Sequence, residues 1–134
     1  MPKRIFLIED DANTLFSLQA KFRVAGFEVA VHPGNETDEI IIEKIKYHSP
    51  DYLVLDLILP RADGLRILSL VKSSRELSGL PVFVFTNSSD RQSKEKGASL
   101  GVNYYLLKSE LNTDQFVEKA RKIMANLEKV KPLP

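Results

Sequence analysis

Short apolar runs recur along the chain, separated by longer segments whose apolar residues return every three or four positions. Four of the runs cover residues 5–8, 52–55, 82–86 and 104–107. An apolar run of this length between turn signals predicts a β-strand that is buried on both faces, as in a parallel sheet. A fifth run, residues 27–31, mixes apolar residues with a glutamate, which predicts a strand at the edge of the sheet.

The segments between the runs have the apolar spacing of helices that bury one face. In chain order, the predicted buried faces carry Leu15, Leu18, Phe22 and Ala25, then Ile41 and Ile45, then Leu65, Leu68 and Val71, and last Phe116, Val117, Ala120, Ile123, Met124 and Leu127. Thr37 is placed to cap the second helix, and Asn112 with Gln115 has the pattern of a capping box before the last. Residues 88–101 differ from these helices because they have almost no apolar face. A helix that is polar nearly all round is weakly held by packing.

Strands and helices alternate from end to end, five of each, which predicts an α/β fold with a parallel, doubly wound sheet. Of the common strand orders, 2-1-3-4-5 fits a five-stranded chain whose second strand lies at an edge. This is the flavodoxin-like arrangement. We expect one domain over residues 1–128 and a C-terminal tail or linker over residues 129–134.

Charged or polar side chains stand where four of the predicted strands end. Glu9 and Asp10 follow the first strand, Asp56 follows the third, Thr86 ends the fourth and Lys108 follows the fifth. Parallel strands end at the same rim of the sheet, and open α/β sheets bind their ligands there. The order 2-1-3-4-5 makes the first and third strands neighbours, so Asp10 and Asp56 are expected to lie close together.

The carboxylates at this rim cannot all stay ionised without a compensating positive charge. Magnesium takes oxygen ligands and keeps several waters, so Asp10 and Asp56 with one backbone carbonyl suffice to hold it. The Lys108 ammonium is placed to pair with Asp56 or to neutralise a transferring phosphoryl group. Asp11 fits the role of an acid at a helix N-terminus better than that of a metal ligand. Glu9 could have the same helix N-terminal role.

Composition narrows the class of function. The chain has 134 residues, enough for one domain with a buried core, and 19 lysines and arginines against 18 aspartates and glutamates. This balance gives no broad field for nucleic acid or a membrane surface. The lack of cysteine removes disulfides, thiolate metal sites and cysteine catalysis. No signal-peptide pattern opens the chain and no apolar stretch approaches the roughly 20 residues of a membrane span, so we expect a cytoplasmic protein.

The residues at the strand ends and in the loops between them form an ordered set. Its members are Glu9, Asp10, Asp56, Pro60, Gly64, Thr86, Tyr105 and Lys108. Taken together and in this order, they resemble the receiver domain of two-component response regulators. The resemblance covers the chain from residue 5 to about residue 127.

The resemblance implies that Asp56 is the phosphoacceptor of a phosphorelay. It also implies that Asp10 is a ligand of Mg²⁺, that Glu9 helps through bound water, and that the carbonyl of Ile58 is a further ligand. The carboxylate of Asp56 would attack phosphorus in a phosphohistidine or a small acyl phosphate and form an aspartyl phosphate, which water later hydrolyses.

The resemblance further implies a switch. Thr86 and Lys108 would bind the phosphoryl group, and Tyr105 would be the aromatic residue whose rotamer reports the state. The signal would be a conformational shift around these residues and the polar fourth helix. Such a protein is a signalling phosphoacceptor that assists its own phosphorylation and dephosphorylation, and is not an enzyme for a separate substrate.

The expected partners follow from the same resemblance. The phosphodonor would be a sensor histidine kinase or a phosphotransfer protein, and the phosphorylated form would bind a downstream protein target as a monomer or a phosphorylation-dependent dimer. The segment after Lys108 suffices only for the last helix and a short tail, so no output or DNA-binding unit is expected within it. Neither nucleic acid nor a membrane is an expected partner.

Three positions depart from the family pattern. Ser109 follows the lysine where many receivers have proline, so the cis peptide usual there is not expected. Asn87 is bulkier than the small residue typical after the threonine. Ile58 is apolar where many relatives have a polar residue. These departures bear on the rates of phosphorylation and switching more than on the identity of the acceptor.

Other readings of the acid pattern are weaker, but one stays open. A haloacid-dehalogenase-type phosphatase needs a second acid two residues after its aspartate, where Ile58 stands. A flavodoxin-like module would bind a flavin phosphate after the first strand, where Glu9, Asp10 and Asp11 would repel it. The alternative that remains is a pseudo-receiver, a protein-interaction module of the same fold that is never phosphorylated. Replacement of Asp56 or Lys108 would have favoured it.

Overall fold

The computed structural model describes residues 2–130 and has the predicted alternation of strands and helices. The elements in chain order are β1 (Arg4–Ile8), α1 (Ala12–Val24), β2 (Glu28–His32), α2 (Asp38–His48), β3 (Tyr52–Leu55), α3 (Gly64–Ser73), β4 (Val82–Thr86), α4 (Arg91–Ser99), β5 (Tyr104–Leu107) and α5 (Thr113–Lys129). All five strands are parallel, and their order in the sheet is β2-β1-β3-β4-β5. The predicted fold class and strand order are therefore confirmed.

The sheet is buried on both faces because successive side chains of a strand point to opposite sides. In β1, Phe6 and Ile8 pack in a core with α2 and α3, whereas Ile5 and Leu7 pack in a second core with α1 and α5. Apart from the exposed Arg4 at the start of β1, the strands β1, β3 and β4 are buried throughout, while β2 is mostly half-buried, as expected of an edge strand. The two cores, one on each face of the sheet, fix the register of the strands. They thereby fix the relative positions of the residues at the rim.

Three local predictions need correction. Ala25 is exposed, because α1 ends at Val24 and Ala25 caps it just before Gly26, whose φ of 99° turns the chain away. β2 begins one residue later than predicted, since the amide of Phe27 still donates to the carbonyl of Phe22 in the turn. In α3, Leu65 lies in the first turn and is only partly buried, and Ile67 joins Leu68 and Val71 in the core instead.

The predicted helix caps are present. The Thr37 side chain accepts from the amide of Ile40, and Asn112 and Gln115 form the reciprocal bonds of a capping box. Helix α5 continues through Lys129, the first residue of the predicted tail, and residues 131–134 lie outside the described residues. Among residues 2–130, no helix is long and apolar enough to cross a membrane.

Helix α4 is held by few apolar contacts, as the sequence predicted. Its only buried residue is Gly97, and the polar side chains around it are exposed or half-buried. A Cβ atom added at Gly97 would lie 3.6 Å from the ring of Tyr105 and 3.5 Å from Val102. These are ordinary van der Waals distances, so this helix interior position has room for a methyl group.

We therefore expect Gly97→Ala to stabilise the protein by about 0.5 to 1 kcal/mol, because glycine costs that much relative to alanine within a helix. Urea unfolding monitored by circular dichroism measures the change. Gly101→Ala is the matched control at the end of the same helix, where a φ of +84° strains any residue with a Cβ atom. Gly101→Ala should destabilise, and a loss of stability in Gly97→Ala would contradict the packing described for α4.

Candidate functional site

The carboxylate of Asp56 lies at the centre of a set of side chains from three strand ends. Asp56 directly follows β3 and is 5% exposed. Its Oδ1 atom accepts hydrogen bonds from the Thr86 hydroxyl at 2.7 Å and from the Ile58 amide at 3.1 Å. Its Oδ2 atom lies 2.8 Å from the Nζ of Lys108. The fold therefore brings a carboxylate, a hydroxyl donor and an ammonium together from β3, β4 and the end of β5.

Lys108 connects two of the buried acids. Its amide donates to the carbonyl of Thr86, which fixes the backbone, and its Nζ contacts Glu9 Oε1 at 2.6 Å as well as Asp56. Burial by itself disfavours the charged lysine, but the hydrogen bonds to Asp56 and Glu9 outweigh that effect and raise the pKa of Lys108. The side chain is thus a cation at neutral pH, directed at the acids.

Glu9 is the most buried acid of the site, at 2% exposed. Burial raises the pKa of Glu9 to about 7, against the opposing effects of Lys108 and the Asp11 amide. Both of its carboxylate oxygens have hydrogen-bond partners, with Oε1 bound to Lys108 and Oε2 to the amide of Asp11 at 3.1 Å. Glu9 is therefore less free than Asp10 to contact an ion directly.

Carboxylate oxygens of Glu9, Asp10 and Asp56 all lie within 4.8 Å of one another. Asp10 is exposed and the other two are buried, so the cluster opens to solvent on the Asp10 side. An all-oxygen donor set of this kind suits a hard divalent cation such as Mg²⁺, and the Ile58 carbonyl lies on the adjoining loop. The residues present fit the predicted metal.

Thr86 and Tyr105 are connected through one residue, Ser88. The Thr86 hydroxyl accepts from the Ser88 amide at 3.2 Å, and the Tyr105 hydroxyl donates to the Ser88 carbonyl at 2.5 Å. The ring of Tyr105 is half-buried and lies beside Gly97 of α4. A change at Thr86 thus has a short covalent and hydrogen-bonded route to Tyr105 and α4. No sequence pattern indicated this link through Ser88.

Neighbouring residues that the sequence set apart have the expected structural roles. Asp11 caps α1 by accepting from the amide of Thr14 at 2.9 Å. No cis peptide occurs among residues 2–130, so the bond before Ser109 is trans, as predicted. Sequence reasoning missed Asp38, a buried acid at the start of α2, because an acid in the first turn of a helix is normally explained by the helix dipole alone.

Comparison with known proteins places the chain among signalling proteins. Residues 5–121 match the family described as response regulator receiver domain. The chain is 30% identical over 108 residues to the transcriptional regulatory protein PdtaR of Mycobacterium tuberculosis, covering 81% of this chain and 50% of PdtaR. The chain spans about half the length of the curated relatives it matches.

Solved structures agree with the family match. The phosphorylated cyanobacterial phytochrome response regulator RcpA is 26% identical, with a TM-score of 0.80 over 100% of this chain and 99% of its own. The Mn²⁺-bound form of the response regulator Rcp1 is 26% identical, with a TM-score of 0.77 over 99% of each chain. The family match spans nearly all of the folded residues and the strand order is the same as predicted, so this chain belongs to the receiver domain family of two-component response regulators.

Proposed function

We propose that this receiver domain accepts a phosphoryl group on Asp56. The observation that carries the proposal is the environment of one carboxylate, which has Lys108 at 2.8 Å and the Thr86 hydroxyl at 2.7 Å. Both partners are donors of the kind that stabilise phosphoryl oxygens, and they reach Asp56 from different strands. A module that only binds other proteins has no need to gather these groups on one buried acid, which favours phosphorylation over the pseudo-receiver alternative.

In the proposed reaction, an oxygen of Asp56 attacks the phosphorus of a phosphohistidine or an acyl phosphate. A P–O bond to Asp56 forms as the donor's P–N or P–O bond breaks, and the imidazole or carboxylate leaves with the bonding electrons. The ammonium of Lys108 and the hydroxyl of Thr86 are then placed to face the phosphoryl oxygens, where the negative charge lies. Water later cleaves the aspartyl phosphate to inorganic phosphate and restores the carboxylate.

We also propose that Mg²⁺ assists this reaction, held by Asp10, Asp56 and the carbonyl of Ile58, with Glu9 acting through bound water. When bound, the cation supplies positive charge that offsets the acids and the incoming phosphoryl oxygens. The support is the cluster of carboxylate oxygens within 4.8 Å of one another, together with the Mn²⁺-bound state of Rcp1.

The proposed role in the cell is that of a phosphorelay component. The donor would be a sensor histidine kinase or a phosphotransfer protein, and the phosphorylated domain would change its affinity for a downstream protein. Thr86 and Tyr105 would carry the change, and their shared contact with Ser88 supports such a route. RcpA, a response regulator of the same fold, is known in a phosphorylated form.

The direct test is the intact mass of the protein after incubation with acetyl phosphate. With Mg²⁺ present, we expect a mass increase of about 80 Da, that of a single phosphoryl group. A chelator should prevent the increase, and hydroxylamine should remove the group, as expected of an acyl phosphate. Absence of the adduct under all conditions, including incubation with phosphorylated donor proteins, would refute the proposed function.

Mg²⁺ should bind before any phosphorylation, since Asp10 and Asp56 need a compensating charge. We expect Asp10→Asn to weaken Mg²⁺ binding by roughly 10-fold, the size of effect that one lost carboxylate contact produces. Asp11→Asn is the matched control, because asparagine also caps helices and Asp11 caps α1. Calorimetric titration measures both, and equal losses in the two variants would show that the ligand in the acidic run is misassigned.

The phosphorylated state should be comparatively long-lived. Hydrolysis needs a water in line with the phosphorus, and Ile58, 58% exposed beside Asp56, offers no polar group to orient it. We expect Ile58→Asn to speed the decay by roughly 10-fold, since positioning a reacting water commonly gives a factor of this order. Ile40→Asn, at an exposed isoleucine of α2, is the control. Decay after donor removal that is no faster in Ile58→Asn would contradict the prediction.

A further inference from the structure

The loop between β3 and α3 carries the Ile58 carbonyl, the proposed metal ligand, but has little regular structure. Residues 57–63 contain one isolated bridge, between Ile58 and Asp63, and the amide of Gly64 donates to the Leu57 carbonyl at 3.2 Å. The Ile58 amide is also tied to Asp56 Oδ1 at 3.1 Å. The carboxylate of Asp56 is consumed in the proposed reaction, so this last bond cannot be relied on to hold the loop while the site works.

A buried carboxylate outside the loop binds the backbone of Asp63, the second residue of the bridge. Asp38, the first residue of α2, is 7% exposed. Its Oδ1 accepts from the amide of Asp63 at 2.8 Å, and its Oδ2 accepts from Arg66 Nη1 at 2.8 Å. Both oxygens are therefore satisfied, as a buried carboxylate requires. The Arg61 amide also donates to the Gly34 carbonyl, but at 3.3 Å this is a longer bond than that of Asp63 to Asp38.

Asp63 connects Asp38 to Ile58, the residue opposite it in the bridge. Its side chain is already engaged as the N-cap of α3, where Oδ1 accepts from the amide of Leu65 at 3.0 Å. Its backbone pairs with Ile58 in the antiparallel bridge. The side chain of Asp63 is bound to α3 and its amide is bound to Asp38, so Asp63 is held from two sides, and the bridge connects it to Ile58.

We propose that Asp38 is a positioning residue for the divalent cation, acting through Asp63 to present the Ile58 carbonyl. It touches neither the cation cluster nor Asp56. This inference rests on the proposed function, because it concerns the same metal site. Groups that orient metal ligands from behind commonly change metal affinity by 10- to 100-fold when removed.

The first experiment needs no metal. Hydrogen exchange of the Asp63 amide, measured by NMR in the metal-free protein, should show protection in the wild type. In Asp38→Ala this amide should exchange at least roughly 10-fold faster, because its hydrogen bond to a carboxylate is lost. Asp38→Asn should retain most of the protection, because its amide oxygen can still accept from Asp63. A wild-type Asp63 amide that exchanges without protection would overturn the proposal even if Asp38→Ala failed to fold.

The second experiment is calorimetric titration of the same proteins with Mg²⁺. We expect roughly 10-fold weaker binding in Asp38→Ala and near wild-type binding in Asp38→Asn. Glu39→Ala is the control, because Glu39 is an exposed partner of Arg66, at 2.8 Å, with no bond to the loop. A wild type that binds no Mg²⁺ would refute the proposed metal site and this inference with it. Equal binding by the wild type and Asp38→Ala would overturn the inference alone.

Discussion

Replacing Asp56 with asparagine should abolish phosphorylation. Asparagine keeps the shape of the side chain and one oxygen that can accept from the Thr86 hydroxyl, so the fold should be retained. It lacks the nucleophilic carboxylate, and among residues 2–130 no other carboxylate is bound to both Lys108 and the Thr86 hydroxyl. The expected result is complete loss of the mass increase of about 80 Da that the wild type gains from acetyl phosphate with Mg²⁺.

Asp51→Asn provides the matched control. Asp51 precedes the opposite end of β3 and accepts from the amide of Arg4 at 2.8 Å, far along the strand from the carboxyl rim. The Asp51→Asn variant should be labelled as fully as the wild type. If Asp56→Asn were labelled to the same extent, the acceptor would lie elsewhere and the assignment of Asp56 would be wrong. An unlabelled wild type would instead favour the pseudo-receiver alternative.

The residues at the rim of the sheet were predictable because their positions depend only on where the apolar runs end and on the order of the strands. Apolar runs mark where each strand ends, and parallel pairing brings all of those ends to one side. The order of strands pairs Ile8 with Leu55, so the next residues of each strand, Glu9 and Asp56, meet without any contribution from side-chain detail. The convergence of Lys108 on both acids follows from the same arrangement.

The contacts that hold the rim residues in place were not predictable, because each joins segments that are distant in sequence. Asp38 is buried where the residues around the start of α3 bind its carboxylate, and one of its two partners is a backbone amide, which carries no sequence signal. The link from Tyr105 ends on the carbonyl of Ser88, which any residue would supply. The choice of Ile67 over Leu65 for the core depends on where Asp63 begins α3. Sequence patterns locate reactive side chains more readily than the backbone groups that hold them.

Gly64 is one such backbone feature, and Gly64→Ala should have a large effect on stability. A Cβ atom there would lie 2.3 Å from the Cα of Leu57, 2.7 Å from the Leu57 carbonyl oxygen and 2.8 Å from that of Asp56. These are backbone atoms at and beside Asp56, the proposed phosphoacceptor, so no side-chain rotation can relieve the overlap. Either α3 or the loop must move, and we expect a loss of about 3 kcal/mol in the free energy of unfolding.

The same substitution should also impair the proposed metal site. Movement of Leu57 and its neighbours would displace the adjacent Ile58 carbonyl, so Mg²⁺ binding by the folded Gly64→Ala protein should be weakened along with its stability. Gly79→Ala is the control, because a Cβ atom at Gly79 has nothing within 4 Å and should change the unfolding free energy by no more than about 0.5 kcal/mol. Urea unfolding and calorimetric titration measure the two effects. Wild-type stability in Gly64→Ala would mean that the loop can shift at no cost, and would remove the argument that its backbone is held in one position for the cation.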